Sequence, residues 1–433
     1  MKAEAGDPEP ELEVELQPSP QPEPEAEAAP EVQPDVLDVQ TGEDRYSRLR
    51  LIHWWDQERL RSARALVVGG GALGNEIVKT LALLGIGGIF LVDFDTIEST
   101  NLSRSVLFRA SDVGRRKALA AGEMARQINP EVAVEARYAN IVYDVGTGVF
   151  AEMDLIFGAL DNREARVAIN SFAWRVGKPW IDGAIEVVRG VVRLFAPPDG
   201  PCYECIMSEL DYKLLSVRRS CALLSREDVE LGKVPTTPTI AAIIAGIQVQ
   251  EGVKLLHADR HLPTLSGCGY VFEGLYHQSY VVEYQRREGC PAHYTYPEIL
   301  PLDRSVHDTT GAELLALARE TLGEDAVVEF EREVCVGLNC AQCGTHEDRC
   351  GALSRITEEE ARCESCGEVR DPDLTHAVYG HEDYADRPLA ELGLPPYDVV
   401  TFRSGMTMRH YLLAADRELA LGKVAAVGVK SDG

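Results

Sequence analysis

One loop constrains this chain more than any other feature: Gly69-Gly70-Gly71-Ala72-Leu73-Gly74, set between the apolar run Ala65–Val68 and a helical pattern that ends at Leu84. Between a buried strand and a helix, this spacing has a physical meaning. Gly69 allows the tight turn, Gly71 lets a phosphate approach the backbone, and Gly74 permits close helix–strand packing, with Gly70 part of the same cradle. A second apolar run, Ile89–Val92, ends in Asp93, 19 residues after Gly74 and placed to accept a hydrogen bond from a ribose hydroxyl. On these residues alone, a nicotinamide dehydrogenase and an ATP-using enzyme fit equally well.

The alternation continues. A helix is expected near Lys117–Ile128, with strands at Val132–Ala136, Leu155–Gly158 and Trp180–Ala184, which predicts an α/β fold with a Rossmann-like, doubly wound, mostly parallel sheet. Upstream, Leu49–Leu60 reads as an amphipathic helix whose Trp54 and Trp55 serve the core or a dimer contact. After Ala184 the pattern changes to antiparallel strands: Val187–Phe195, then a hairpin of Gly269–Tyr276 and Ser279–Tyr284. Between them lie a long charged connection, residues 207–235, and a helix at Thr239–Leu256 with Ile240, Ile243, Ile244 and Ile247 on one face. Beyond Pro297 a smaller α+β unit is expected, with a helix near Ala312–Leu322 and strands around Asp398–Phe402 and Arg409–Leu413. The domains are therefore read as 1–44, 45–297 and 298–433.

Composition sets the first of these apart. Residues 1–44 hold 14 acids and a single base, Lys2, so they carry about half of the formal charge of −27. They are rich in Pro and lack aromatics, and are expected to be a disordered, solvating tail or an arm for a basic partner. The acidic balance argues against nucleic acid as a partner, because little here would release phosphate counterions. The N-terminus is acidic without an apolar run, and no stretch approaches 18 consecutive apolar residues. A cytoplasmic protein without a membrane span is the expectation. Arg outnumbers Lys 34 to 9, a bias typical of GC-rich, often bacterial, genomes.

Further motifs separate the two nucleotide readings. Arg45-Tyr46-Ser47-Arg48, Val92-Asp93-Phe94-Asp95, Asn101-Leu102-Ser103-Arg104, Lys117, Asp161-Asn162 with Arg166, Pro201-Cys202-Tyr203-Glu204-Cys205 and Val234-Pro235-Thr236-Thr237-Pro238 follow in that order. Together they resemble the ubiquitin-activating superfamily, also called the ThiF/MoeB family, over residues 45–295. The resemblance implies ATP-dependent adenylation of the C-terminal carboxylate of a ubiquitin-like or sulfur-carrier protein by a homodimer. Anion must then meet anion, so charge neutralisation and alignment carry the catalysis. By the same resemblance, Arg104 and Lys117 contact the triphosphate, Asn101 positions it and Asp161 holds Mg²⁺. Arg48 would reach the γ-phosphate from the partner subunit, a role worth on the order of 10³–10⁵ in rate in other phosphoryl-transfer enzymes.

The 11 cysteines fall largely into Cys-x-x-Cys clusters, which suit zinc better than disulfides. Cys202, Cys205, Cys290 and His293 form one expected set. The family usually supplies a second cysteine pair there, and His293 stands in for the fourth ligand. Cys340-Ala-Gln-Cys343-Gly and Cys363-Glu-Ser-Cys366-Gly form a second, ribbon-like set. The unit beyond Pro297 reads as poor in apolar residues, so that metal would supply much of its folding free energy. Its expected role is partner docking, and truncation after Pro297 is expected to spare adenylation. Cys335 and Cys350 belong to neither set, and Cys268 reads as a small buried hydrophobe.

Cys221 stands alone in the connection of residues 207–235. In relatives that carry ubiquitin-like proteins as thioesters this connection can hold the nucleophile, and Arg218 and Arg219 would favour a thiolate. A thioester on Cys221 would pass to a ubiquitin-conjugating-type enzyme. An incidental thiol is the other reading, in which the enzyme stops at the acyl adenylate as a sulfur-carrier activator. A scaffold subunit without activity is a further rival, against which Arg104, Lys117 and Asp161 speak.

Overall fold

Strands that are apolar on both faces have to be covered on both faces, and such strands form the centre of the N-terminal sheet, with β3 at its edge. The computed structural model describes residues 43–213 and 235–428. Strands β1 (Arg64–Val68), β2 (Gly88–Asp93), β3 (Ala133–Tyr138), β4 (Leu155–Gly158) and β5 (Trp180–Glu186) lie parallel in the order β3-β2-β1-β4-β5. Alternate residues point to opposite sides: Ala65, Val67, Ile89 and Leu91 enter one core, Leu66, Val68, Phe90 and Val92 the other. The expected antiparallel extension follows, with β6 (Arg189–Phe195), β7 (Cys268–Glu273) and β8 (Gln278–Glu283) completing eight strands.

The short helix α1 (Gln57–Ser62) precedes β1. Helices α2 (Ala72–Leu84), α3 (Lys117–Ile128) and a later α6 (Pro238–Leu256) cover the first face, while α4 (Thr147–Glu152) and α5 (Arg163–Arg175) cover the second. By length and composition α6 would suffice to cross a membrane, but half of it is buried against the core. Its buried stripe is Ile240, Ala241, Ile244, Ala245, Gln248 and Val249, and Ile247 is partly buried. Ile243, expected on that face, is exposed.

Residues Leu49–Leu60 are not one helix. A short 3₁₀ turn at Leu49–Leu51 is separated from α1, because Asp56 caps α1 by accepting hydrogen bonds from the backbone N–H groups of Glu58 and Arg59. A cap residue is extended, so the preceding chain leaves the helical path. The Asp56 N–H donates to Nε2 of His257, whose ring packs against both Trp54 and Trp55.

A second sheet orders β11-β10-β13-β14-β9, with β12 also pairing β10. Its strands are β9 (Ile299–Leu302), β10 (Val327–Asn339), β11 (His346–Gly351), β12 (Asp371–Val378), β13 (Val399–Ser404) and β14 (Thr407–Leu413). Helices α7 (Gly311–Leu322) and α8 (Leu389–Leu392) pack on it. The expectation of a unit poor in apolar residues is corrected here: Val306, Leu314, Leu315, Val328, Phe402 and Leu413 are among its fully buried side chains. Each such burial stabilises by about 1.5–3 kcal/mol, so an aliphatic core accompanies any metal.

The chain does not end in that sheet. Helix α9 (Arg417–Leu421) and the turn after it return to β2 and β3, placing Ala420, Leu421, Val424 and Ala425 in the core beneath the parallel sheet. Arg417 pairs with Glu152 at 2.8 Å, and the Arg137 guanidinium donates to the Leu419 carbonyl. This packing runs against the expectation that truncation after Pro297 leaves the nucleotide motifs intact.

Candidate nucleotide site and metal centres

The glycine loop adopts the shape that its spacing demands. Gly69 has φ of +100° and donates its N–H to the Val92 carbonyl; a Cβ there would lie 2.3 Å from the Ala159 carbonyl oxygen. A Cβ on Gly74 would lie 1.8 Å from the Gly69 carbonyl oxygen, so only glycine fits either position. Gly71 caps α2, and a Cβ there would meet nothing within 4 Å. The first N–H groups of α2 are therefore approachable from the side where a phosphate is expected, and the helix dipole favours an anion there.

Asp93 anchors the loop. Its Oδ2 accepts the Gly70 N–H at 2.6 Å and its Oδ1 accepts the Asp95 N–H at 2.7 Å. Burial pushes the Asp93 carboxyl up to about 6, against the pull of the Lys117 ammonium. Lys117 opens α3 and pairs with Asp95 at 2.7 Å, so Gly70, Asp93, Asp95 and Lys117 form one linked group.

Asn75 was not singled out by spacing, yet it holds the loop from beneath. Fully buried, it donates through Nδ2 to the carbonyls of Gly70 and Gly71 and accepts the Leu107 N–H on Oδ1. An asparagine inside an otherwise apolar helix stripe was the signal available. Asn101 is buried and accepts the Glu98 N–H, closing the cap of the turn Ser99–Ser103. Arg104 ends that turn and donates to the Thr100 carbonyl at 2.8 Å.

Asp161 follows β4 and is exposed, and the close approach of Gly69 to Ala159 sets this segment beside the glycine loop. Asn162 caps α5 by accepting the Ala165 N–H. Buried Arg166 donates to Asp182 Oδ1 at 2.8 Å and to the Leu160 carbonyl, bracing the turn that presents Asp161. Arg193 binds the other oxygen of Asp182 at 2.6 Å. Arg48 is exposed at the start of the turn Leu49–Leu51 and, among the described residues, contacts none of these groups. Cys221 lies outside the described residues, as do residues 1–42.

Both metal sets converge. The donor atoms of Cys202, Cys205, Cys290 and His293 all lie within 4.8 Å of one another. Cys202 Sγ is 3.7 Å from the sulfurs of Cys205 and Cys290, and Cys205 Sγ is 3.2 Å from His293 Nε2. A tetrahedron with metal–sulfur bonds of about 2.3 Å has sulfur–sulfur edges of about 3.8 Å, so the set fits zinc. The His293 ring stacks on Trp174, which fixes its orientation. Cys340, Cys343, Cys363 and Cys366 also converge, with sulfur pairs at 3.5 and 3.6 Å. Each pair ends in a left-handed glycine, Gly344 or Gly367, whose N–H returns to the first cysteine's carbonyl. Cys335 is fully buried and its thiol donates to the Gly337 carbonyl; Cys268 and Cys350 are half-buried. Among the described residues, none of the three joins a set.

Comparison with known proteins gives this geometry a family. Residues 44–292 match the model of the ThiF family. Ubiquitin-like modifier-activating enzyme 5 of Dictyostelium discoideum is 32% identical over 213 residues, 46% of this chain and 54% of that protein. Sulfur carrier protein adenylyltransferase of Thermus thermophilus is 36% identical over 171 residues, 38% of this chain and 63% of that one. The chain thus spans less than two thirds of either relative. SAMP-activating enzyme E1 of Haloferax volcanii is 32% identical over 257 residues, 57% of this chain and 87% of that protein. Among solved structures, E. coli MccB with ATP aligns at a TM-score of 0.49 and 24% identity, over 59% of this chain and 75% of that one. With more than half of its length inside the family model and its glycine loop, Asp93 anchor and cysteine sets in one framework, the chain belongs to the ThiF family.

Proposed function

We propose that this chain is an ATP-dependent adenylyltransferase that activates the C-terminal glycine carboxylate of a ubiquitin-like protein. The observation that carries the reading is the open side of Gly71 at the head of α2, bordered by the Asp93–Gly70 anchor and Lys117. A carboxylate oxygen of the carrier attacks the α-phosphorus of ATP, the bond to the bridging oxygen breaks, and pyrophosphate leaves with the electron pair. Two anions approach in that step, so nearby positive charge lowers the barrier most. Arg104 and Lys117 supply it in this reading, Lys117 exchanging Asp95 for phosphate. Asn101 positions the triphosphate and Asp93 accepts from the ribose. Asp161 would hold Mg²⁺, whose charge offsets that of the leaving pyrophosphate.

The relatives named as activating enzymes support a carrier-protein substrate, and family membership favours ATP over a nicotinamide cofactor. In the same reading the enzyme is a homodimer with Arg48 reaching the partner's nucleotide, Cys221 takes the carrier as a thioester for a conjugating-type enzyme, and residues 298–433 dock a partner. A relative named sulfur carrier protein adenylyltransferase favours a second reading, in which the enzyme stops at the adenylate. Both predict carrier-dependent ATP–pyrophosphate exchange that Asp161→Ala abolishes without lowering the melting temperature. Normal exchange in that variant removes the assignment. A reductant-sensitive enzyme–carrier adduct, lost in Cys221→Ala, separates the first reading from the second.

A further inference from the structure

We propose that the C-terminal sheet carries a second binding site, a pocket for a small ligand bearing a carboxylate or phosphate group. The pocket, about 340 Å³, lies where β11 runs into the turn Leu353–Arg355, against α8. Small-molecule sites occupy about 300–1,000 Å³. Ala352 and Ile356, both buried, line it together with half-buried Cys350. It is separate from the nucleotide loop and from both cysteine sets.

Three guanidinium groups line this small space: Arg349, Arg355 and Arg387. Their charge is poorly compensated. Arg349 pairs with Glu360 at 2.9 Å, whereas Arg355 reaches only Asp144, at 3.7 Å, and Arg387 makes no ion pair among the described residues. Among the described residues Glu391 is the one acid in the lining; Glu360 answers Arg349 and Asp144 answers Arg355 at longer range, which leaves Arg387 without an ion pair beside the pocket. Guanidinium forks match the planar oxygens of carboxylate and the oxygens of phosphate, and two of these three have donors to spare. The apolar lining leaves room for a short hydrocarbon part behind the charged group. Arg355 and Ile356 also line a larger cleft of about 1610 Å³ that reaches Phe94 and Tyr138 at the ends of β2 and β3, which gives the pocket an approach from that side.

Cys350 is a built-in reporter of occupancy. The zinc-loaded full chain is alkylated with iodoacetamide in the presence of inorganic phosphate or succinate, with ionic strength matched by chloride, and the rate at Cys350 is read by mass spectrometry of its peptide. Occupancy slows that rate on the order of tenfold once the anion is ten times its dissociation constant. Arg355→Gln with Arg387→Gln, both at exposed positions, abolishes the protection. Protection by phosphate alone assigns a phosphoryl ligand, and by succinate alone a carboxylate. The same anion raises the melting temperature of the wild type and not of the double variant, a readout that holds even if Cys350 reacts slowly. The proposal falls if neither anion acts beyond chloride on rate or melting, or if the double variant responds like the wild type.

Discussion

Arg332 and Asp398 meet as a buried two-pronged ion pair, at 3.0 and 3.1 Å, and each also grips the backbone of the segment between β3 and α4. Arg332 donates to the carbonyls of Val142 and Val145, and Asp398 accepts the Thr147 N–H at the head of α4. The second sheet is thereby tied to the first through mostly buried hydrogen bonds. Asp398→Ala leaves a buried guanidinium without its counter-charge, which costs about 3–5 kcal/mol. Denaturant melts should show that loss, and exchanging Arg332 and Asp398 together for apolar residues should recover part of it. A change below 1 kcal/mol in the single variant would mean that the pair is hydrated in solution.

The returning C-terminal segment makes a related prediction. Leu421 is fully buried beneath β2 and β3, and Leu421→Ala should destabilise the half built on the parallel sheet by about 2–5 kcal/mol. Truncation after Pro297 removes Leu421, Val424 and Arg417 at once, so the fragment should be unfolded or insoluble. A soluble fragment of residues 1–297 with full ATP–pyrophosphate exchange would refute this.

Metal content is a third test. Two zinc ions per chain are expected, and Cys290→Ser and Cys363→Ser should each remove one, as read by elemental analysis. Loss of both ions from either single variant would contradict the separation of the two sets. Loss of the Cys290 metal should also loosen His293 and Trp174, with a change in tryptophan emission.

Asp93 gives stability a pH dependence with a defined sign. Its pKa is raised in the fold, from an ordinary 3.8 to about 6, so the folded state prefers the neutral acid. The stabilisation from that neutral form is complete below the unfolded value and is lost as pH rises through about 6. Melts of the nucleotide-free protein between pH 4 and 7 should lose part of their downward slope in Asp93→Asn. An unchanged slope would place the Asp93 carboxyl in water.

The loop from Gly69 to Gly74, Asp93 and both cysteine sets are legible in the sequence, because each is a local pattern. The failures share a cause. Leu49–Leu60 has helical periodicity, but the tie from Asp56 to His257, 201 residues away, decides where the helix starts. Ile243 belongs to an apolar helix, yet only the packing of α6 on α2 and β5 decides which stripe is buried. Asn75 and Asp182 support the site through contacts that no spacing reveals, Asp182 by binding Arg166, a residue that the motif pattern names.

The sequence by itself determined where strands, turns and ligand-type side chains occur, since backbone sterics at glycine and the period of apolar residues act within one or two turns of chain. The tertiary structure alone decided that residues beyond Pro297 are part of the same framework. Nothing local in Arg332, Asp398, Arg417 or Leu421 marks a partner more than 60 residues away, and their placement follows from which apolar faces and buried charges can be satisfied together.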